Sequence, residues 1–227
     1  MSDKELVAEY AANLVQDGML VGLGTGSTAN FFIEALAKRR NEQGLKVTAA
    51  SSSVVSAIKA QSLGLPLISI EHLSRLDLYV DGADEVTPDM TLLKGRGSDL
   101  VREKLMAKAA DQFLVLVDQS KLVSRIGEKF AIPIEVIPFA WQLAKRSIEV
   151  LGGHGDLRQN ASKDGLAMTS HGSLVLDMTF DAKLSAEQLN AALNATPGVV
   201  EHGIFLWLTS AIIIAVDGKV EKRNPKT

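Results

Sequence analysis

From the N-terminus to Val117 the chain alternates short apolar runs with amphipathic helical stripes, and this alternation limits the fold more than any other feature. Strands separated by helices cannot pair as simple hairpins. They are joined by crossovers, which makes them parallel and covers both faces of their sheet with helices. Ser2 and Glu5 have capping-box spacing, and Leu6, Tyr10 and Leu14 with Val7, Ala11 and Val15 form the stripe of a first helix. Gly18 is expected to end it, before a buried strand over 19–23. A glycine-rich turn over 24–28 then leads to a helix over 30–38. A strand over 46–50, a helix over 54–63, strands over 67–70 and 76–80, a helix over 98–110 and a strand over 113–117 complete the alternation.

After residue 129 the rhythm changes. A strand is expected over 132–137, punctuated by Pro133 and Pro138, and a helix over 140–151 that ends at Gly152-Gly153. A polar stretch containing Arg158 follows. His171-Gly172 reads as a hairpin turn before a strand over 173–179. Ser185 caps a helix over 186–193, and Pro197-Gly198 introduces Val199-Val200. The order strand–helix–strand–strand–helix–strand is that of a split-βαβ, ferredoxin-like α+β domain. The apolar run 204–216 and the short segment 219–220 are expected to return to the first sheet. The predicted organisation is thus a Rossmann-like α/β domain over 1–129 and 204–227, with helices on both faces of a mostly parallel sheet, and a smaller α+β domain over 130–203.

Composition narrows the function classes. With 46% hydrophobic residues among 227, the chain can bury a sizeable core, and its net charge of −3 mixes both signs along the sequence. That balance offers no electrostatic footprint for nucleic acid or an anionic membrane, so neither is expected as a partner. Cysteine is absent, which excludes disulfides, thiolate catalysis and cysteine-ligated zinc. The first residues are polar, and the run 204–216 is interrupted by Thr209 and Ser210 and is too short to span a bilayer. A soluble, cytoplasmic protein is expected.

Gly22, Gly24 and Gly26 invite a dinucleotide-binding reading, but the spacing is not G-x-G-x-x-G, and Ser51-Ser52-Ser53 stands where an acid would hold a ribose hydroxyl. No Gly-Lys-Ser/Thr of a Walker loop follows. What remains is a hydroxyl-rich loop at a helix N-terminus. Thr25, Gly26, Ser27 and Thr28 suit a single phosphate, held by backbone N–H groups and hydroxyls. A plain strand–helix connection with hydroxyl caps is the alternative.

The acidic segment Asp81-Gly82-Ala83-Asp84-Glu85 follows an alternating strand and is expected to form a flexible turn at its carboxyl end, where open α/β sheets bind ligands. Asp81 and Asp84 could touch adjacent hydroxyls of a polyol; a divalent-metal site with Glu85 as third ligand ranks below that. Lys94 sits among glycines in Lys94-Gly95-Arg96-Gly97, where backbone can approach a ligand closely, and a cation there would stabilise an oxyanion. Glu103 lies on the helix over 98–110 with Asp99 at i−4 and Ala107 at i+4, and no basic residue at a salt-bridging position. Those surroundings fit a general base on a largely buried helix. Lys121 falls after the strand over 113–117, again at a carboxyl end. The four histidines are read as structural or exposed.

Together these segments resemble the ribose-5-phosphate isomerase A family. The resemblance rests on residues 22–28, Ser51-Ser52-Ser53, residues 79–85, Lys94-Gly95-x-Gly97, Arg102-Glu103-Lys104, Asp118-x-Ser120-Lys121, residues 133–138 and residues 197–200. It implies interconversion of ribose 5-phosphate and ribulose 5-phosphate with no metal or organic cofactor, by a homo-oligomer, often a dimer. It further implies that Glu103 moves a proton between C2 and C1. Asp81 and Asp84 would hold the sugar and assist ring opening and the O1/O2 proton transfer. Lys94 would offset enediolate charge. The loop Thr25, Gly26, Ser27, Thr28 and Lys121 would bind substrate, with Gly82, Ala83, Gly95, Arg96 and Gly97 lining it and Lys4 as a further phosphate contact. Arg96 replaces the middle of three glycines usual in the family: it is strained if the position needs positive φ, and otherwise adds a cation over the site. Ser98-Asp99 replaces small apolar residues and puts a carboxylate one turn before Glu103.

Two other classes compete. A sugar-phosphate-sensing module would keep the phosphate loop but need no base, and would usually add a DNA-binding helix pair. An acyl-CoA transferase relative would also use a glutamate, but needs an extended CoA-binding surface for which no candidate segment is found.

Overall fold

The computed structural model describes residues 2–225. Helix α1 (Asp3–Asn13) opens on the expected capping box: Ser2 Oγ accepts the Glu5 N–H at 3.3 Å and the Glu5 carboxylate accepts the Ser2 N–H at 2.6 Å. Strand β1 (Leu20–Leu23) leads into α2 (Ser27–Gln43), which continues past the expected end until Gly44 takes φ 73° and caps it. Strand β2 (Thr48–Ser51) and α3 (Val54–Ser62) follow, with Ser53 accepting the Ser56 N–H. The strand expected over 67–70 does not form. Leu67 makes one bridge to Ala49; Pro66 before it has no N–H to extend a ladder, and Ile70–His72 turns away as a 3-10 helix.

Strand β3 (Leu76–Gly82), the short β4 (Glu85–Val86) and β5 (Leu92–Leu93), α4 (Leu100–Ala109) and β6 (Ala110–Asp118) come next. The expected turn at 81–85 is a correction: Asp81 and Gly82 are strand residues, paired with Val115 and Leu116 of β6. Helix α4 starts later than expected because Ser98 takes φ 65°, a left-handed conformation that no right-handed helix continues. The remaining elements are β7 (Ile132–Val136), α5 (Trp141–Val150), β8 (Gly153–Leu157), β9 (Leu174–Phe180), α6 (Ala186–Asn194), β10 (Val199–His202), β11 (Ile204–Phe205), β12 (Ala211–Val216) and β13 (Lys219–Arg223).

The chain divides into two compact units, one taking the residues up to Ala83, Arg102–Leu122 and those from Leu208 on, the other Asp84–Val101 and Val123–Trp207. The boundaries expected at 129/130 and 203/204 leave 84–101 with the first unit. That segment falls in the second because β4 and β5 join β11 in a three-stranded antiparallel sheet. The apolar run 204–216 is therefore split, and only Ala211–Val216 returns to the first sheet.

In the first unit six strands lie in the order β13-β12-β6-β3-β1-β2, all parallel except β13. Helices α1 and α2 cover the face formed by Val21, Leu23, Leu78, Val80, Leu114 and Leu116. On the opposite face a Cβ on Gly22 would lie 2.6 Å from the Tyr79 ring and 2.9 Å from Met106 of α4, so glycine is what lets ring and helix approach. The fold class is α/β, Rossmann-like, with a smaller α+β unit. The latter holds an antiparallel sheet β10-β7-β9-β8 whose core includes Ile134, Ala144, Ile148, Leu176, Leu189 and Leu193. Ser185 and Gln188 form a second capping box at α6. Among the described residues no helix is long and apolar enough to cross a membrane.

Candidate active site

In the first unit the loops after β1, β2, β3 and β6 all leave one edge of the sheet, because those strands are parallel. The chain runs outward from β1 to β2 and then back to β3 on the other side of β1. The crevice beyond β1 and β3 is thus a topological switch point, the usual ligand position of such sheets. Residues 24–28 follow β1, and Asp81 ends β3.

Asp81 joins these two loops. Its Oδ1 accepts the N–H groups of Thr25 at 3.1 Å and Gly82 at 2.7 Å, and its Oδ2 accepts the Tyr79 hydroxyl at 2.6 Å. The side chain is 0% exposed. Gly24 is required there, since a Cβ would lie 2.2 Å from Asp81 Cγ. Gly26, with φ 113°, precedes α2 and gives it no side-chain cap, so the first N–H groups of a 17-residue helix can meet an anion. Thr25 Oγ1 lies 2.8 Å from Ser52 Oγ, while Lys4 Nζ donates to the exposed Ser27 Oγ at 2.8 Å. Thr28 is half-buried in the first turn of α2. Lys121 ends a 3-10 turn, Gln119–Lys121, whose cap is Asp118 accepting the Ser120 N–H at 2.9 Å.

Tyr79 was missed in the sequence, although residues two apart share one face of a strand and Tyr79 and Asp81 are so placed. Its ring is fully buried and stacks on Phe113 with centroids 4.8 Å apart. Burial pushes its hydroxyl well above the usual 10.0, and the negative charges of Asp81 and Glu103 push it further. The phenol therefore stays protonated and donates. Met106, on the same buried stripe of α4 as Glu103, closes on Gly22 beside the Tyr79 ring, so that stripe faces this neighbourhood.

Glu103 is 4% exposed and shares the buried stripe of α4 with Leu100, Met106 and Ala107. The expectation of a largely buried helix holds for this stripe alone, since Leu105 is 58% exposed. Asp99, expected one turn before Glu103, lies outside the helix, and its Oδ1 accepts the Ser170 hydroxyl at 3.1 Å.

The second unit holds the other residues singled out. The half-buried Asp84 donates its N–H to Leu93 O at 2.8 Å, and Lys94, 4% exposed, donates its own to Gly203 O at 2.9 Å. Lys94 Nζ lies 5.8 Å from the Phe205 ring centroid. Gly95 takes φ 100°, with Leu100 where a Cβ would go. Arg96 is not among the residues with positive φ, so replacing a glycine there costs no backbone strain; its guanidinium lies 4.1 Å from the Phe130 ring centroid. Gly97 is exposed beside it. Glu85 is a correction: its two oxygens accept the N–H groups of Gly127, Lys129 and Phe130 at 2.7, 2.6 and 2.9 Å. A carboxylate used in this way anchors a loop, and the metal reading that needed it as third ligand loses that ligand. His171 is also engaged, 2.8 Å from the buried Glu135 carboxylate.

Residues 48–219 match the family model described as ribose 5-phosphate isomerase A (phosphoriboisomerase A). The ribose-5-phosphate isomerase A of Thermosynechococcus vestitus is 42% identical over 224 residues, covering 97% of this chain and 95% of that protein. The solved structure of ribose 5-phosphate isomerase A from Methanocaldococcus jannaschii superposes with a TM-score of 0.92 at 37% identity, covering 97% of both chains. A D-ribose-5-phosphate isomerase solved in complex with phospho-erythronic acid gives a TM-score of 0.93 at 34% identity, with the same coverage. Fold, loop chemistry and likeness agree, and the chain belongs to the ribose 5-phosphate isomerase A family.

Proposed function

We propose that this enzyme is an aldose–ketose isomerase that interconverts D-ribose 5-phosphate and D-ribulose 5-phosphate through an enediolate, with Glu103 as the base. The observation that carries the assignment to Glu103 is its burial, at 4% exposure, in the neighbourhood of Tyr79 and Asp81. The Glu103 carboxylate takes the proton from C2 of the open-chain aldose. The C2–H electron pair forms the C1–C2 double bond, and the carbonyl electrons move onto O1. The same carboxyl then returns its proton to C1 as a carbonyl forms at C2, and the O2 hydroxyl proton moves to O1.

Lys94 supplies the positive charge that offsets the enediolate oxygens, a preorganised contribution that matters most where water is excluded. Asp84, half-buried, holds the sugar and carries the proton between O2 and O1, and Asp81, 0% exposed, assists by fixing the Thr25 and Gly82 amides beside it. The phosphate is assigned to Ser27 and Thr28 at the open N-terminus of α2 and to Lys121, with Lys4 beside Ser27 as an additional cation. Gly26, Gly82, Ala83, Gly95 and Gly97 let backbone approach the ligand, and Arg96 adds charge at its edge. A phosphorylated aldonic acid such as phospho-erythronic acid carries a planar anionic carboxylate resembling an enediolate, which supports this route for the relative that binds it. The family likeness also supports a place in pentose phosphate metabolism, a homo-oligomer, most simply a dimer, and a cytoplasmic location.

Steady-state isomerisation of ribose 5-phosphate tests the assignment, with Glu103→Gln beside the wild type and calorimetric binding of the same sugar. Turnover of the variant should fall by roughly 10²–10⁴-fold while the sugar still binds. Equal turnover would remove Glu103 from its role. A wild type that binds without turnover would favour a sugar-phosphate sensor.

A further inference from the structure

We infer that Arg158 is a positioning residue for this reaction: its guanidinium, braced by Asp177, fixes the backbone of residues 95–98 and thereby places Lys94. The inference rests on the isomerase reading above and concerns a residue to which that reading gives no part.

Arg158 Nε and Nη2 donate to the two oxygens of Asp177 at 2.8 and 2.6 Å, a bidentate pair that fixes the plane of the guanidinium. The remaining nitrogen, Nη1, faces residues 95–98. It lies 3.0 Å from Gly95 O, 3.2 Å from Arg96 O and 2.9 Å from Ser98 Oγ, so its two N–H groups are shared among three acceptors. The backbone of Arg158 is itself tied down on both sides, its N–H donating to Val175 O and its carbonyl accepting from Ala167, each at 2.8 Å. The side chain is only 14% exposed.

These bonds fall on a segment that would not hold its shape alone. Gly95 takes φ 100° and Ser98 φ 65°. A non-glycine residue persists in the left-handed region only where its surroundings over-determine it. Arg158 supplies that constraint at Ser98 through the hydroxyl and at Gly95 and Arg96 through their carbonyls. On the other side, the Lys94 N–H is fixed by Gly203 O at 2.9 Å. Lys94 therefore enters a segment held at both ends, which a long, buried side chain assigned to a developing oxyanion requires. Lysine could not replace the arginine, because an ammonium cannot pair bidentately with Asp177 and still present a fixed fork to three acceptors.

The test compares kcat, KM and the thermal transition for wild type, Arg158→Ala, Arg158→Lys and Ser98→Ala, with and without guanidinium ion at concentrations far below denaturing. Misplacing the lysine by ~1 Å should lower kcat of both Arg158 variants by roughly 10–100-fold, with KM for ribose 5-phosphate changing far less, because the lost interaction develops in the transition state. Guanidinium should restore part of the kcat of Arg158→Ala without altering its thermal transition, an effect that a purely structural role would not produce. Ser98→Ala leaves the pair with Asp177 intact and should lower kcat several-fold in the wild type but not further in Arg158→Lys. Undiminished kcat in a folded Arg158→Ala overturns the inference, as do full activity of Arg158→Lys, no guanidinium rescue, or additive losses with Ser98→Ala. A wild type without isomerase activity instead overturns the functional reading, and the inference falls with it.

Discussion

Replacing Tyr79 with phenylalanine removes one oxygen atom from a ring that is 0% exposed. The stacking on Phe113, at 4.8 Å between centroids, and the close approach over Gly22 survive the change, so packing is nearly untouched. What disappears is the 2.6 Å hydrogen bond to Asp81 Oδ2. A bond to a charged group is worth about 1.5–3 kcal/mol, and solvent cannot replace it at a fully buried carboxylate. A loss near 2 kcal/mol would lower the melting temperature of a chain of this size by roughly 4–8 °C. Activity should fall about tenfold, because Asp81 also holds the Thr25 and Gly82 N–H groups and loses one of its anchors. A second signature lies at high pH. Burial, then the charges of Asp81 and Glu103, holds the Tyr79 hydroxyl well above 10.0. The folded state thus keeps a proton that the unfolded tyrosine releases, and stability falls as pH rises past 10.0. The phenylalanine variant has no such proton and should lose stability less steeply there. Calorimetry across that range with parallel kinetics checks all three effects. An unchanged melting temperature and unchanged kcat would refute the idea that this hydroxyl secures Asp81.

Glu85→Ala strips the acceptor from three N–H groups and should cost about 3 kcal/mol or more; amide exchange of Gly127, Lys129 and Phe130 should speed up, and unchanged protection would count against the anchor. In Gly24→Ala the new Cβ would start 2.2 Å from Asp81 Cγ. The carboxylate must move by about 1 Å, and kcat should drop on the order of 10²-fold; wild-type kinetics would show that Asp81 has room to yield. Burial raises the Glu135 carboxyl above its ordinary 4.5, with the His171 partner opposing and Asp99 assisting. The folded state then retains a proton that the unfolded chain loses above 4.5, so stability falls as pH rises from there toward the raised value. Urea midpoints measured against pH should be flatter for Glu135→Gln, and identical curves would dismiss this group as the source.

Much of the frame was legible because its signals are local. The capping boxes at Ser2 and Ser185 and the alternation of strand and helix are written in neighbouring residues. Strand β8, Gly153–Leu157, carries no apolar alternation, and its residues 154–156 are exposed, so nothing in its composition announces it. The missing strand near Leu67 failed for the opposite reason: an apolar stretch that Pro66 and the turn at Ile70–His72 cut short to a single bridge. At the site, the lack of a basic residue at a salt-bridging i±3 or i±4 position marked Glu103 as unusual, and it is buried. Contacts across long separations were invisible. Glu85 reads as one more acid in a cluster until the amides of residues 127–130 close on it, and Arg158 reads as a polar loop residue until Asp177 and residues 95–98 surround it. Arg96 looked like a strained substitution or an added cation, and only its backbone φ decides the first point.

Proton transfer through Glu103 is tested most directly by proton NMR of ribose 5-phosphate in D₂O with purified, chelator-treated protein, beside Glu103→Gln. Ribulose 5-phosphate should appear with solvent deuterium at C1, in part if the base hands its proton on before exchange, and the variant should form it roughly 10²–10⁴-fold more slowly. Product formed by the variant at the wild-type rate, or none formed by a wild type that binds the sugar, would contradict the mechanism.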